Sequence, residues 1–189
     1  MTRAAPIAPP GLAAMQAAAA AAGLAVSAAA SWPEPDDDRE VRPLAGFIVS
    51  TFSPLLAEVA ERALGRRGEP PPGLVTALVI VTARGDVTSA ADVAATVDAG
   101  GRVGPLMFFQ AVPNTVVGYV AARWGLTGPL ACVGDIGAGL DLARLLIEDA
   151  DADEVLVVWA DLAGTDQDRD QAAAVVVADA AGTKKEQPG

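Results

Sequence analysis

The chain has 189 residues, 52% of them hydrophobic, enough for one domain with a substantial core and short for two. Its formal charge of −11, with thirteen scattered Lys and Arg, argues against nucleic acid or an anionic membrane as partner, since phosphate binding needs basic residues gathered on one face. One cysteine excludes an internal disulfide framework and fits a reducing cytoplasm, and no apolar run nears the roughly 20 residues of a membrane span.

Residues 1–23 are rich in Ala and Pro. The run Ala17–Ala22 followed by Ser27-Ala28-Ala29-Ala30 has the outline of a signal peptide, but its n-region holds only Arg3 and its apolar run is weak. A loose or partly helical, flexible leader is expected there instead. The first strand is placed at Leu24–Ala30, before a loop of Ser31-Trp32-Pro33 and the acidic Asp36-Asp37-Asp38. Leu55, Leu56, Val59, Ala60, Ala63 and Leu64 recur at helical spacing over Ser53–Leu64, and the stretch from Arg66 to Gly73 ends that helix.

Leu74–Thr82 is a continuous β-branched run, the signature of a strand buried on both faces. Thr88 or Ser89 is a candidate cap for a helix over Ala90–Val97, with Asp92 in its first turn. After Gly100-Gly101 comes GPLMFFQAVPNTVVGYVAARWGLTGPLACVGD, residues 104–135, around which the rest of the chain is organised. It reads as an aromatic loop, a helix with Val116, Val117, Val120 and Ala121 on one face, a stop at Gly125, and a strand after Gly128-Pro129. A further helix is expected over Gly139–Ile147, with Leu140, Ala143, Leu146 and Ile147 on one face. A buried strand at Glu154–Trp159, a charged loop over Asp161–Asp170 and a last strand at Ala172–Ala178 follow, and 181–189 is expected to be disordered. Alternating strands and helices predict a three-layer α/β domain.

The charged clusters read as solvated turns. Asp166, Asp168 and Asp170 alternate like a calcium loop, but Gln171 stands where glycine is needed and Val177 where glutamate is. Asp149, Asp151, Asp153 and Glu154 also lack the required glycine and read as a polar connection. Gly134, Gly137 and Gly139 do not match the dinucleotide fingerprint and suit a tight strand-to-helix turn. Asn114 is read as an N-cap, with Pro113 beside it. Met107, Phe108 and Phe109 are by residue type more often core than site.

The register Pro105, Asn114, Gly118, Gly125-Leu126, Gly128-Pro129 resembles the N-terminal half of β-ketoacyl synthases of the thiolase superfamily. There a segment S-P-x8-N-x3-G leads into G-L-x-G-P, and the nucleophilic cysteine stands eight residues after that proline. Here that place is Gly137, and Cys132 comes five residues too early. The family's two histidines are missing as well, and the only lysines, Lys184 and Lys185, lie in the C-terminal tail, so no lysine Schiff base is expected in the body.

Several expectations follow from the resemblance. The fold is a thiolase-like half-fold: a βαβαβ-type domain over 24–180, with a mixed sheet and helices on both faces. The chain resembles a degenerate small ketosynthase or chain-length-factor-like subunit, non-catalytic, with Gly137 at the emptied nucleophile position. Met107, Phe108, Phe109, Gln110, Val112 and Asn114 would reach the partner and bound its acyl tunnel. Leu130, Ala131, Cys132 and Val133 would form the strand that pairs across the dimer axis, although an interior strand is an equal alternative on residue type.

The expected partner is a catalytic ketosynthase, in a heterodimer or heterotetramer of a type II polyketide system, by analogy one that makes polyenes. Acyl carrier protein, usually acidic, would meet this chain of charge −11 only through the partner. The small-ketosynthase subgroup often has His where this chain has Pro113. No cofactor, metal, nucleic acid or membrane is expected, and the localisation is cytoplasmic. Two alternatives remain: a stand-alone homodimeric structural or regulatory protein, and an enzyme using carboxylates such as Asp135 or Asp161.

Overall fold

In the computed structural model, which describes residues 11–35, 37, 40–110, 112–162 and 170–181, the apolar runs pair into one five-stranded mixed sheet. The strands are β1 (Leu24–Trp32), β2 (Thr76–Val81), β3 (Leu130–Val133), β4 (Glu154–Asp161) and β5 (Gln171–Asp179), in the order β1-β5-β4-β2-β3. β2, β3 and β4 run parallel, and β5 is antiparallel to both of its neighbours, β4 and β1. The centre consists of β5, β4 and β2, whose residues are buried almost throughout. Their unbroken Val, Ile, Leu and Ala sequences match burial on both faces.

Six helices accompany the sheet: α1 (Leu12–Ala21), α2 (Phe52–Arg67), α3 (Val87–Asp98), α4 (Pro105–Gln110), α5 (Asn114–Trp124) and α6 (Ile136–Glu148). One face is covered by α2 and α5, which share a core with Leu78, Ile80, Leu156, Val158 and Val176. The other is covered by α1 and α6, which pack with Val79, Val81, Val155, Val157, Val175 and Val177. The three-layer α/β expectation therefore holds, with two strands and four helices more than a βαβαβ unit.

The N-terminal boundary needs correcting. Residues 12–21 form a helix with Met15 and Ala19 fully buried in the second core, so the packed body starts at least twelve residues before Leu24. Alanine is the best helix former, and two inward residues four apart suffice to dock a short helix.

The acidic loop after β1 is tied to α2 by ion pairs. Arg62 of α2 makes two bonds to Asp37, at 2.7 and 3.0 Å, and one to Glu58, while Arg66 grips both oxygens of Glu34 at 2.7 Å. These arginines hold the Glu34 carboxyl below the usual carboxylate range, chiefly through the Arg66 hydrogen bonds. Arg62 also lies 4.8 Å above the Trp32 ring, a cation–π stack that fixes the end of β1.

Asp166 and Asp168 lie outside the described residues, as do 1–10, 182–189, Asp36 and Asp38. Among the described residues there is no metal-binding cluster, and no helix is long and apolar enough to cross a membrane.

Candidate functional site

β1, β2, β3 and β4 all point the same way, so their carboxyl ends, at Trp32, Val81, Val133 and Asp161, lie along one edge of the sheet. Ligands in open α/β sheets bind outside that edge. Three features of this chain meet there: the turn into α6, the start of α3, and the loop leading to α2.

The turn into α6 is built by Asp135, whose Oδ1 accepts from the Ala138 N–H at 2.9 Å. Gly137 is the second residue of the helix, is exposed, and has no side chain to act with. Gly139 is there for packing: a Cβ would come within 2.6 Å of Val81 Cγ2, so α6 lies closer to β2 than any side chain at that position would allow. Asp135, weighed as a catalytic carboxylate, is thus occupied as a cap. Asp161 faces Arg84 at 3.4 Å, and the same guanidinium donates to the Leu162 carbonyl at 2.5 Å.

Beside this turn, Thr82 Oγ1 accepts from the Gly85 N–H at 3.0 Å, and Asp86 caps α3. Asp86, not Thr88 or Ser89, is the cap residue, and Ser89 supplies both of its donors, the backbone N–H at 3.0 Å and the hydroxyl at 2.8 Å. Gly85, at φ +66°, lies against Pro113, which brings the β2–α3 turn up to the start of α5.

The 104–112 segment is a short helix, α4, where an aromatic loop was expected. Its apolar residues are not core. Leu106, Phe108, Phe109 and Val112 are exposed, the two phenylalanines by 65% and 61%, and Met107 is half-buried. Gln110 alone turns inward and donates to the Gly46 carbonyl, tying α4 to the loop before α2. Asn114 is the first residue of α5 and exposed; the cap position is Pro113, with no side-chain bond, and Thr115 Oγ1 donates to the Phe109 carbonyl at 2.7 Å. The N-cap expected of Asn114 is therefore not made. The face of Val116, Val117, Val120 and Ala121 is buried as expected, and Gly125 ends the helix at φ +65°.

β3 is an edge strand and not an interior one. Among the described residues it pairs only with β2, and Leu130 and Cys132 are exposed while Ala131 and Val133 are half-buried. Cys132 is the one free thiol; its partial burial pushes the thiol pKa up, away from thiolate chemistry.

No protein-family model matches the chain, and no curated protein matches it in sequence. Solved structures do match it. One is a ketosynthase in complex with its chain length factor from Xenorhabdus doucetiae, with a TM-score of 0.56 and 19% identity over 90% of this chain and 74% of that one. Another is the ishigamide ketosynthase/chain length factor, at 0.61 and 19% over 79% of this chain and 50% of that one. A third is a type II acyl-carrier protein in complex with its hexaketide-bound ketosynthase, at 0.60 and 12% over 82% and 63%.

The fold is that of the ketosynthases.

The recognised register thus sits on a thiolase-like, ketosynthase-like scaffold, and the chain spans between half and three quarters of these neighbours' chains. Within that scaffold Gly137 and Asp135 lie at the sheet's carboxyl edge, while Leu106, Phe108, Phe109, Val112 and Leu130 supply uncovered apolar surface.

The sequence reading missed two features. Ile48, 85% exposed in the loop tied to Gln110, reads in sequence like any core residue. The buried pair of Arg67 with Glu154, whose carboxylate also accepts from Thr76 Oγ1 at 2.8 Å, joins residues 87 positions apart, and no local pattern carries it.

Proposed function

We propose that this chain is a non-catalytic, chain-length-factor-like subunit that pairs with an active β-ketoacyl synthase of a type II polyketide system, by analogy one that makes polyenes. The partner supplies the cysteine and both histidines and carries out the condensation. This chain completes the interface and bounds the acyl tunnel with Met107–Val112.

The observation that carries this reading is uncovered apolar surface on a ketosynthase fold: among the described residues β3 has no strand partner on its outer side, and Phe108 and Phe109 are each more than three-fifths exposed. Open edges and aromatic patches of this kind are features of interfaces. The absence of a side chain at Gly137 and of histidine throughout the chain supports a non-catalytic role.

The test is co-expression with a catalytically complete type II ketosynthase from the same source, pulling on a tag carried by this chain alone and weighing what elutes. A stable hetero-complex, in which Cys132 becomes resistant to alkylation, is expected; a homodimer or monomer that ignores the ketosynthase would overturn the reading. If the tunnel role holds, Phe108→Trp shifts product length while the complex stays intact. The open β3 edge also favours a second reading, a stand-alone homodimer through Leu130–Val133, which the same weighing separates.

A further inference from the structure

The helix that covers the second face of the sheet beside α6 is held there by apolar contact alone. α1 is ten residues long, below the length at which a helix stands alone in water. Its N-cap is Gly11, which makes no side-chain cap bond, and its first turn holds no acidic residue to favour the helix dipole. Among the described residues, no side-chain hydrogen bond or ion pair joins residues 12–21 to the body, and the backbone bonds of this segment stay within Gly11–Gly23. What holds it is apolar contact through Met15 and Ala19, both fully buried, with Leu12, Ala18 and Ala22 half-buried beside them. α2, by contrast, is tied down by Arg62, Arg66 and Arg67.

The hinge is equally clear. Ala22-Gly23 is all that separates α1 from β1; Gly23 has a φ of +76°, and its carbonyl accepts from the Ala180 N–H at 3.3 Å. The strand side of the hinge is therefore pinned to β5, and the helix side is free to turn on a glycine. Beneath α1 the same core holds Leu24, Val175 and Val177, whose strands keep their pairing whether or not α1 is seated.

We propose that α1 is a strap that opens as one unit about Ala22-Gly23, uncovering an apolar floor on β1 and β5 while the sheet stays intact. Closed, it lets this chain cover its own second face. Open, it presents that floor to solvent. Sub-global openings of this kind are drawn from elements with few buried contacts and no cross-links to the body. The proposal does not depend on the partner reading.

Native-state hydrogen exchange of the whole chain, followed by mass spectrometry at low denaturant concentrations, tests it. The amides of α1 are expected to exchange with one shared protection factor at least a hundredfold below those of β4 and β5. Ala19→Asp, which sets a charge under the helix, is expected to abolish protection in α1 and to bring binding of a hydrophobic dye, with β4 and β5 still protected. Gly11→Asp, which supplies the missing cap, is expected to slow exchange in α1 by about two- to fivefold and nowhere else.

Two results would overturn the strap. In one, α1 exchanges only with the sheet, through global unfolding. In the other, its protection is graded from the Gly11 end, as in simple fraying. Because the wild-type chain decides between these, the proposal stays testable even if Ala19→Asp does not fold.

Discussion

The two faces of the sheet are built from the same strands yet covered very differently. On one, α2 buries ten of its sixteen residues and α5 adds Val116, Val117, Val120 and Ala121. On the other, α1 buries two residues and α6 three. The α2 face is also cross-linked by three arginines in the C-terminal part of that helix, whereas α1 has none. A sheet face needs only enough apolar cover to exclude water, but the rigidity of that cover depends on how many residues are inward and what else ties them. The chain has one locked face and one lightly latched face.

The largest expected effect tests that contrast directly. Phe52→Ala, in the first turn of α2 and fully buried, is expected to lower unfolding stability by about 3–5 kcal/mol in a denaturant titration. Met15→Ala removes an equally buried side chain, and the usual cost of such a change is about 2–5 kcal/mol. On a strap, the loss is limited to the docking energy of α1, so the global midpoint should fall by much less than the lower end of that range. Equal losses for the two variants would mean that the faces are equally integral.

Next comes the lock itself. Arg67 and Glu154 are both buried, with the carboxylate shared by Thr76 Oγ1, at the amino edge where α2 ends and β2 and β4 begin. Removing one partner strands a buried charge, so Arg67→Ala is expected to cost about 3–5 kcal/mol. The double variant Arg67→Met with Glu154→Leu is expected to recover most of that, because the desolvation cost disappears along with the attraction. If the single variant loses less than about 1 kcal/mol, on the scale of an exposed pair, the edge is not a lock.

A smaller effect is expected where α6 meets the sheet. In Gly139→Ala the new methyl would come within 2.6 Å of Val81 Cγ2, and overpacking of this kind costs about 1–3 kcal/mol. Alanine in a helix returns up to about 1 kcal/mol relative to glycine, so a net loss is expected in thermal unfolding. A gain would show that α6 can shift outward, making its cover as yielding as that of α1.

What could be read in the sequence divides along the same line. β2, β4 and β5 are continuous apolar runs and α2 has a clear helical stripe, so the locked face was legible from periodicity alone. α1 was not: seven of its ten residues are alanine, which presents no distinct face, and only Leu12 and Met15 hint at an inward side. The position of β3 was equally hidden, since strand order is a tertiary fact and Leu-Ala-Cys-Val suits an interior strand as well as an edge. At the candidate site, the tight turn into α6 and the helix stop at Gly125 could be read from the glycines. The exposure of Phe108 and Phe109 could not, because large apolar residues are inside by default. The acidic loop after β1 read only as a loop because its arginine partners lie 25 to 32 residues away on α2.

That loop gives the smallest effect, and a pH dependence whose sign can be worked out. Arg66 holds the folded-state pKa of Glu34 below its ordinary value of 4.5, so the pair contributes stability that is fully present above that value. The contribution is lost as pH falls below about 4.5 and through the depressed folded-state value, because the unfolded chain takes up the proton first. Arg66 is nearly half exposed, so solvent screening keeps the contribution of the pair to about 0–1 kcal/mol. Glu34→Gln is therefore expected to lower stability slightly at pH 7 and to match the wild type in strong acid. Because the pair fastens the loop to α2, raised salt should shrink the difference at pH 7, while the exchange behaviour of α1 on the opposite face stays unchanged. A Glu34→Gln effect that persisted at low pH would mean that the loop is held by packing around Trp32 and Arg62, and that the locked face needs no charge at this corner.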